Sequence, residues 1–205
     1  MALVKLINRG VRSATTFGSV SALGEMRFIK KQTASSSATI SFVDGSSDVV
    51  LDDTYKEYLF TFNNIHPSGD QIFQFQGSTD TGGSYGVTVT TTILIASHDE
   101  GNGTSSLAYE AGHDIAQSTG FQRLCKPSNT AADNNAAGYL HLFNPSGTVG
   151  VKHFLADTNS TNDDTYSNRE IVGGYFNTTS AIDAIQFKMA SGDIDAGDIC
   201  LFGIN

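Results

Sequence analysis

Residues 78–95 read STDTGGSYGVTVTTTILI, and the fold class turns on how the second half of this stretch is taken. Two catalytic signatures overlap in its first half. Ser78, Asp80, Gly82 and Tyr85 fit the S-x-D-x-G-x-x-aromatic hairpin of sialidases, while Gly82, Ser84 and Gly86 spell the G-x-S-x-G of an esterase nucleophile elbow. An elbow requires a helix after its serine, because the hydroxyl must ride a strained strand-to-helix turn. The run after Gly86 is β-branched with period two, Val87 and Val89 opposing threonines, and that is a poor helix and a good strand. The first half is therefore read as turn chemistry, with Asp80 accepting amide hydrogens and Gly82 and Gly83 supplying positive φ. On this reading a tight hairpin joins FQFQ to VTVTTT and fixes their register. The sialidase box recurs once per propeller blade, whereas here it occurs once with Tyr85 in the place of Trp, so a propeller is not expected.

The same alternation extends outward in both directions. YKEYLFTFNNI places Tyr58, Phe60 and Phe62 on one face, IFQFQ does so with Phe73 and Phe75, and similar runs include YLHLFN, VGVKHFLAD, IVGGYFN and AIQFKMA. Their separators, among them DGSSD, NNIHPSGD, HDEGNG and NPSG, are rich in turn formers. Charged residues make up 16% of the chain, below the ~25% usual for soluble domains, and Ser, Thr, Gly and Asn fill the gap. The expectation is an all-β, antiparallel, jelly-roll-like β-sandwich of about nine or ten strands, since the connections are too short for parallel crossovers. Residues 109–138 alternate least and are expected to hold a long excursion or a short helix. In the C-terminal ICLFGIN, Ile199 and Leu201 alternate against Cys200, Phe202 and Ile204, which predicts a last strand buried within a sheet.

Net charge is −9, but its distribution says more than its sum. Residues 1–31 hold Lys5, Arg9, Arg12, Arg27, Lys30 and Lys31 against the single acid Glu25, leaving −14 for residues 32–205. Such asymmetry divides the chain into a basic N-terminal arm, 1–31, for docking or oligomer contact, and one sandwich domain, 32–205. Only Phe17 and Phe28 accompany the arm's charges and no nucleic-acid recognition module surrounds them, so an acidic protein surface is the expected partner rather than nucleic acid. Arg9 and Arg12 interrupt any secretory h-region, and no apolar run is long enough to span a bilayer as a helix.

Side chains able to do chemistry are present without the spacing that chemistry requires. Five histidines, His66, His98, His113, His141 and His153, lack H-x-H or H-E-x-x-H spacing, although His141 and His153 could face each other across a sheet. Asp193, Asp195 and Asp198 form one acidic loop on this reading, yet without the ligand order of a calcium site. Cys125 and Cys200 are 75 positions apart and read as unpaired thiols. No catalytic, cofactor or metal residue is assigned, and no enzyme activity is expected.

Several segments together resemble a known group. MALVKLINRGV, the stretch TASSSATISFVDG followed by DDTYKEYLFTFNNIHPSGD, LFNPSGTVGVKHF, and the ending TTSAIDAIQFKMASGDIDAGDICLFGI are similar to tail-fibre-like virion proteins of marine tailed phages, of the cyanophage and pelagiphage type. The order of Ser191, Gly192, Ile194, Gly197, Gly203 and Ile204 is the most specific part. The resemblance implies a non-enzymatic β-sandwich made in the bacterial host cytoplasm and carried on the virion as a tail fibre, tail appendage or capsid decoration. It implies a homo-oligomer, with trimers favoured, contacting other capsid or tail proteins. The alternative is a module that binds a host receptor or surface glycan through residues 97–136 and 157–168.

Overall fold

A computed structural model describes residues 26–127, 130–162 and 165–205, and in it the period-two runs become antiparallel strands with no helix among the described residues. In chain order the strands are β1 (Met26–Ser37), β2 (Ile40–Val43), β3 (Glu57–Pro67), β4 (Phe73–Ser78), β5 (Val89–Asp99) and β6 (Ser105–Tyr109). They continue with β7 (Gln122–Cys125), β8 (Ala136–Phe143), β9 (Lys152–Asn162), β10 (Tyr166–Phe176), β11 (Ala184–Met189) and β12 (Ile194–Ile204).

Two sheets result, one of eight strands in the order β1-β12-β3-β8-β9-β10-β5-β6 and one of four in the order β2-β11-β4-β7. The pairings obey a simple rule. β1 pairs with β12, β2 with β11, β3 with β8 and β4 with β7, so the first and second halves of the chain run alongside each other as one long antiparallel ribbon. That ribbon folds over so that alternate rungs fall in opposite sheets, and β12–β3 and β11–β4 seal its turns together. Two hairpins interrupt it. β5–β6 leaves between β4 and β7, β9–β10 leaves between β8 and β11, and both add to the edge of the large sheet.

The core lies where the two sheets face each other. Tyr58, Phe60 and Phe62 of β3 and Phe42 of β2 are buried, as the sequence alternation requires. Phe187 of β11 is the hub, with its ring centroid 5.3 Å from those of Phe60 and Phe62, 5.9 Å from Phe73 and 6.2 Å from Phe42. Three of these pairs are edge-to-face and Phe73–Phe187 is stacked, and aromatic pairs of both kinds contribute about 0.5–1.5 kcal/mol each beyond their buried area. β12 lies between β1 and β3 with Ile199 and Leu201 wholly buried, in agreement with the sequence.

Several expectations are corrected. The described residues hold twelve strands rather than nine or ten. The additions, β6 and β7, fall in or beside the segment that alternates least. β6 is an edge strand with every residue exposed, so no apolar face marks it, and β7 buries Gln122 beside Leu124 and Cys125, which hides the period. No helix forms among the described residues between 109 and 138. After β6 the chain stays along the edge of β5, where Glu110 N–H donates to the Ile93 carbonyl, Thr91 N–H to Ile115 and Val89 N–H to Ser118, before it turns into β7. The turn at 78–88 is not a hairpin either. β4 and β5 belong to different sheets, so the turn is an arch over the edge of the sandwich and sets no register between them. Residues 26–31, grouped with the arm by their charge, form the first half of β1. His141 stands opposite Leu155, and His153 opposite Tyr175. Asp195 and Asp198 belong to β12 rather than to a loop with Asp193.

Candidate functional site

The overlapping catalytic motifs resolve into a hydrogen-bonded turn. Ser78 Oγ donates to Asp80 Oδ1 at 2.6 Å and accepts from Gly82 N–H at 3.0 Å, while Ser84 N–H and Oγ donate to the two Asp80 oxygens at 2.9 and 2.8 Å. Thr81 and Gly82 take the positive φ values, 59° and 78°, that this loop needs. The hydrogen bonds from Ser78 and Ser84 lower the Asp80 pKa to about 2. Ser84, the residue in the nucleophile position, thus donates its proton to a carboxylate, and the next element is a strand rather than a helix.

Of the docking residues, Lys5, Arg9 and Arg12 lie outside the described residues. Arg27, Lys30 and Lys31 sit on β1, the edge of the large sheet opposite β6. Lys31 Nζ is 3.1 Å from Asp198 on β12, and that carboxylate also accepts from Thr33 Oγ1. The two partners hold the Asp198 pKa below the usual value. Lys31 is therefore tied into the sheet, and the structure does not join the basic residues into a single pocket.

A different cluster is built where β5 and β6 overhang the small sheet. The floor comes from inward-facing side chains in two adjacent rungs, Ser106–Ser97–Asn168 and Ala108–Ile95, across β6, β5 and β10, with Glu170 fully buried in line with the second. Glu110 and His113 of the segment after β6 stand on one side, and Arg123 and Lys126 at the edge strand β7 on the other. The groove they enclose has a volume of about 430 Å³, within the range of small-molecule sites. A second cavity of about 330 Å³ shares His113 and Arg123 with it.

Glu170 anchors the groove. Its side chain is 0% exposed, and Arg123, 11% exposed, reaches it from the facing sheet through Nε at 2.6 Å and Nη2 at 2.7 Å. Lys126 N–H adds a third donor at 3.2 Å. Desolvating both ions is costly, and the two-pronged contact with its extra amide donor is the arrangement that offsets the cost. Neighbouring polar groups are also engaged, Lys126 in an ion pair with Asp70 at 3.0 Å and the His113 ring 3.3 Å from Glu110 Oε1. Gln122 locks the segment above by donating to the His113 carbonyl and accepting from Thr91 Oγ1.

Asn168 differs from these. It is 6% exposed, lines the groove, and its side-chain amide has no hydrogen-bond partner among the described residues. Every lining residue except Ile95 falls within 97–136 or 157–168, the two segments marked in the sequence as a host-surface contact. The individual side chains were not foreseeable. Glu170 lies in phase with the buried Val172 and Phe176, but nothing in NREIVGG marks a glutamate for burial.

Among the described residues, no group of three or more His, Cys, Asp or Glu side chains is placed to hold a metal ion. Cys125 is buried, which pushes its thiol pKa well above the usual value, and Cys200 is a separate free thiol on β12. The fold and groove thus define an antiparallel β-sandwich with a polar surface cleft. No protein-family model matches the chain, and neither a curated protein nor a solved structure does.

Proposed function

We propose that the chain is a structural protein of a tailed-phage virion, a jelly-roll subunit of a tail fibre, tail appendage or capsid decoration that works without enzymatic activity. The folded double ribbon supports the jelly-roll assignment, because winding one long antiparallel ribbon into two sheets is how two Greek keys share a core. The observation that carries an assembling role is the outer face of the large sheet. One rung across it runs Tyr109–Leu94–Ile171–Asp157–Tyr139–Thr61–Cys200–Lys31, and the next runs Thr92–Gly173–Leu155–His141–Leu59–Phe202–Phe28. Leu107, one rung further out on β6, is 73% exposed and Leu155 is 53% exposed.

Apolar side chains placed side by side on a sheet are an interface signature rather than the scattered exposure of a monomer. The occupant proposed is a second copy of the chain. Charges on this face are closed within it, Arg169 Nε on Asp157 Oδ1 at 2.8 Å, Lys31 on Asp198, and His141 Nε2 2.8 Å from Glu57 Oε2 at ion-pair distance without hydrogen-bond alignment. Copies with net charge −9 then meet there without local repulsion. Light scattering is expected to give three times the 21.7 kDa chain mass, and Leu94→Glu with Leu155→Glu to give monomers with an unchanged fold. A wild-type monomer at micromolar concentration would overturn the assembly. On particles, reversing Arg9, Arg12 and Lys30 is expected to release the protein, and retention at normal occupancy would remove the arm from docking. Lys31 is left intact because of its pairing with Asp198.

A second reading, contact with a host receptor or surface glycan, is favoured by the groove, into which the structure gathers parts of 97–136 and 157–168.

A further inference from the structure

We propose that the groove beneath β5 and β6 is a binding site for a neutral saccharide, with Asn168 as its recognition residue. The proposal rests on the host-surface reading and names the ligand class. An amide that makes no hydrogen bond within the protein and opens into a groove keeps its donors and acceptor free for a ligand or bound water. Asn168 is that group, set in the groove floor with Ser97 and Ser106 in the same rung.

The ligand's charge is set by the groups already occupied. Arg123 presents Nε and Nη2 to Glu170, Lys126 is on Asp70, and His113 is on Glu110. A phosphate, sulfate or carboxylate would have to share a cation whose charge a carboxylate already offsets. The groups left over are neutral and both donate and accept, the Asn168 amide and the Ser97, Ser106 and Thr104 hydroxyls, next to the apolar surfaces of Ile95 and Ala108 and the Tyr166 ring. Sugar hydroxyls also donate and accept, and the C–H face of a sugar ring is apolar. A neutral di- or trisaccharide matches both features and suits a cleft of about 430 Å³.

The test is an array carrying neutral and acidic oligosaccharides, probed with the full-length protein and its variants and followed by titration of each hit. At least one neutral oligosaccharide is expected to bind. Asn168→Ala should weaken it at least about tenfold, and Ser97→Ala with Ser106→Ala several-fold, with melting temperatures recorded for each variant. Because Asn168 is buried, Asn168→Asp provides a near-isosteric second variant, and the doubly exposed control Leu94→Glu with Leu155→Glu should bind as the wild type does. Saccharide binding that every groove variant retains would overturn the groove and leave the host-surface reading standing. Preference for sulfated or uronate saccharides would overturn the neutral assignment. No binding to any saccharide would overturn the groove and the glycan form of that reading together.

Discussion

Glu170 and Asp80 are both carboxylates held by several donors, and burial separates their consequences. Glu170 has no exposed surface, so losing Arg123 leaves an uncompensated charge inside the sandwich. Arg123→Ala or Glu170→Ala is expected to cost about 3–5 kcal/mol. For a chain of this size that lowers Tm by roughly 10 °C. Arg123→Met combined with Glu170→Leu should recover most of the loss, and scanning calorimetry that found the single variants as stable as wild type would show that the pair is not desolvated. Asp80 sits in an exposed turn and its folded pKa, about 2, lies below the ordinary 3.8. Its contribution is therefore complete above the ordinary value and is lost as pH falls from 3.8 through about 2. Carboxyl NMR titration should place the midpoint near 2, with Ser84→Ala moving it upward, and an unchanged midpoint would remove Ser84 as a cause. Asp80 could be read from sequence because its donors are two to four positions away. Glu170 could not, since Arg123 is 47 positions distant and nothing near the glutamate in sequence marks it for burial.

Strands with one apolar face were readable, and strands without one were not. The first halves of β3, β4 and β5 and the second half of β12 keep to their alternation, while β6 escaped because it buries nothing and β7 because its interior is partly polar. The groove was hidden for the same reason, being assembled from those two strands and the irregular segment between them. β12 gives the sharpest test at this scale. Deleting residues 199–205 removes the strand partner of residues 26–32 on one side and of residues 57–62 on the other. The truncated chain is expected to be insoluble or to melt without cooperativity in circular dichroism. A soluble product with a sharp transition would mean that the last strand is dispensable.

For the whole molecule, composition and turn chemistry were enough for an all-β antiparallel class, because hydroxyl-rich strands and short connections leave few other ways to bury the aromatics. Which strand lies beside which was not readable. Pairing of β1 with β12 leaves no local trace, and the arch at 78–88 looks like a hairpin until its two strands are seen in different sheets. The inserted hairpins widen the apolar outer face of the large sheet and form the overhang that roofs the groove. The ribbon has one more consequence, for the order of events during synthesis. Met26 pairs with Ile204, so β1 leaves the ribosome long before its partner β12 is made. Closure over so long a span places such a fold among the slow, non-local class that folds in roughly milliseconds to seconds. Until β12 emerges, the nascent chain carries Phe28 on a strand without its sheet partner, and that is the period in which it most needs a chaperone's cover.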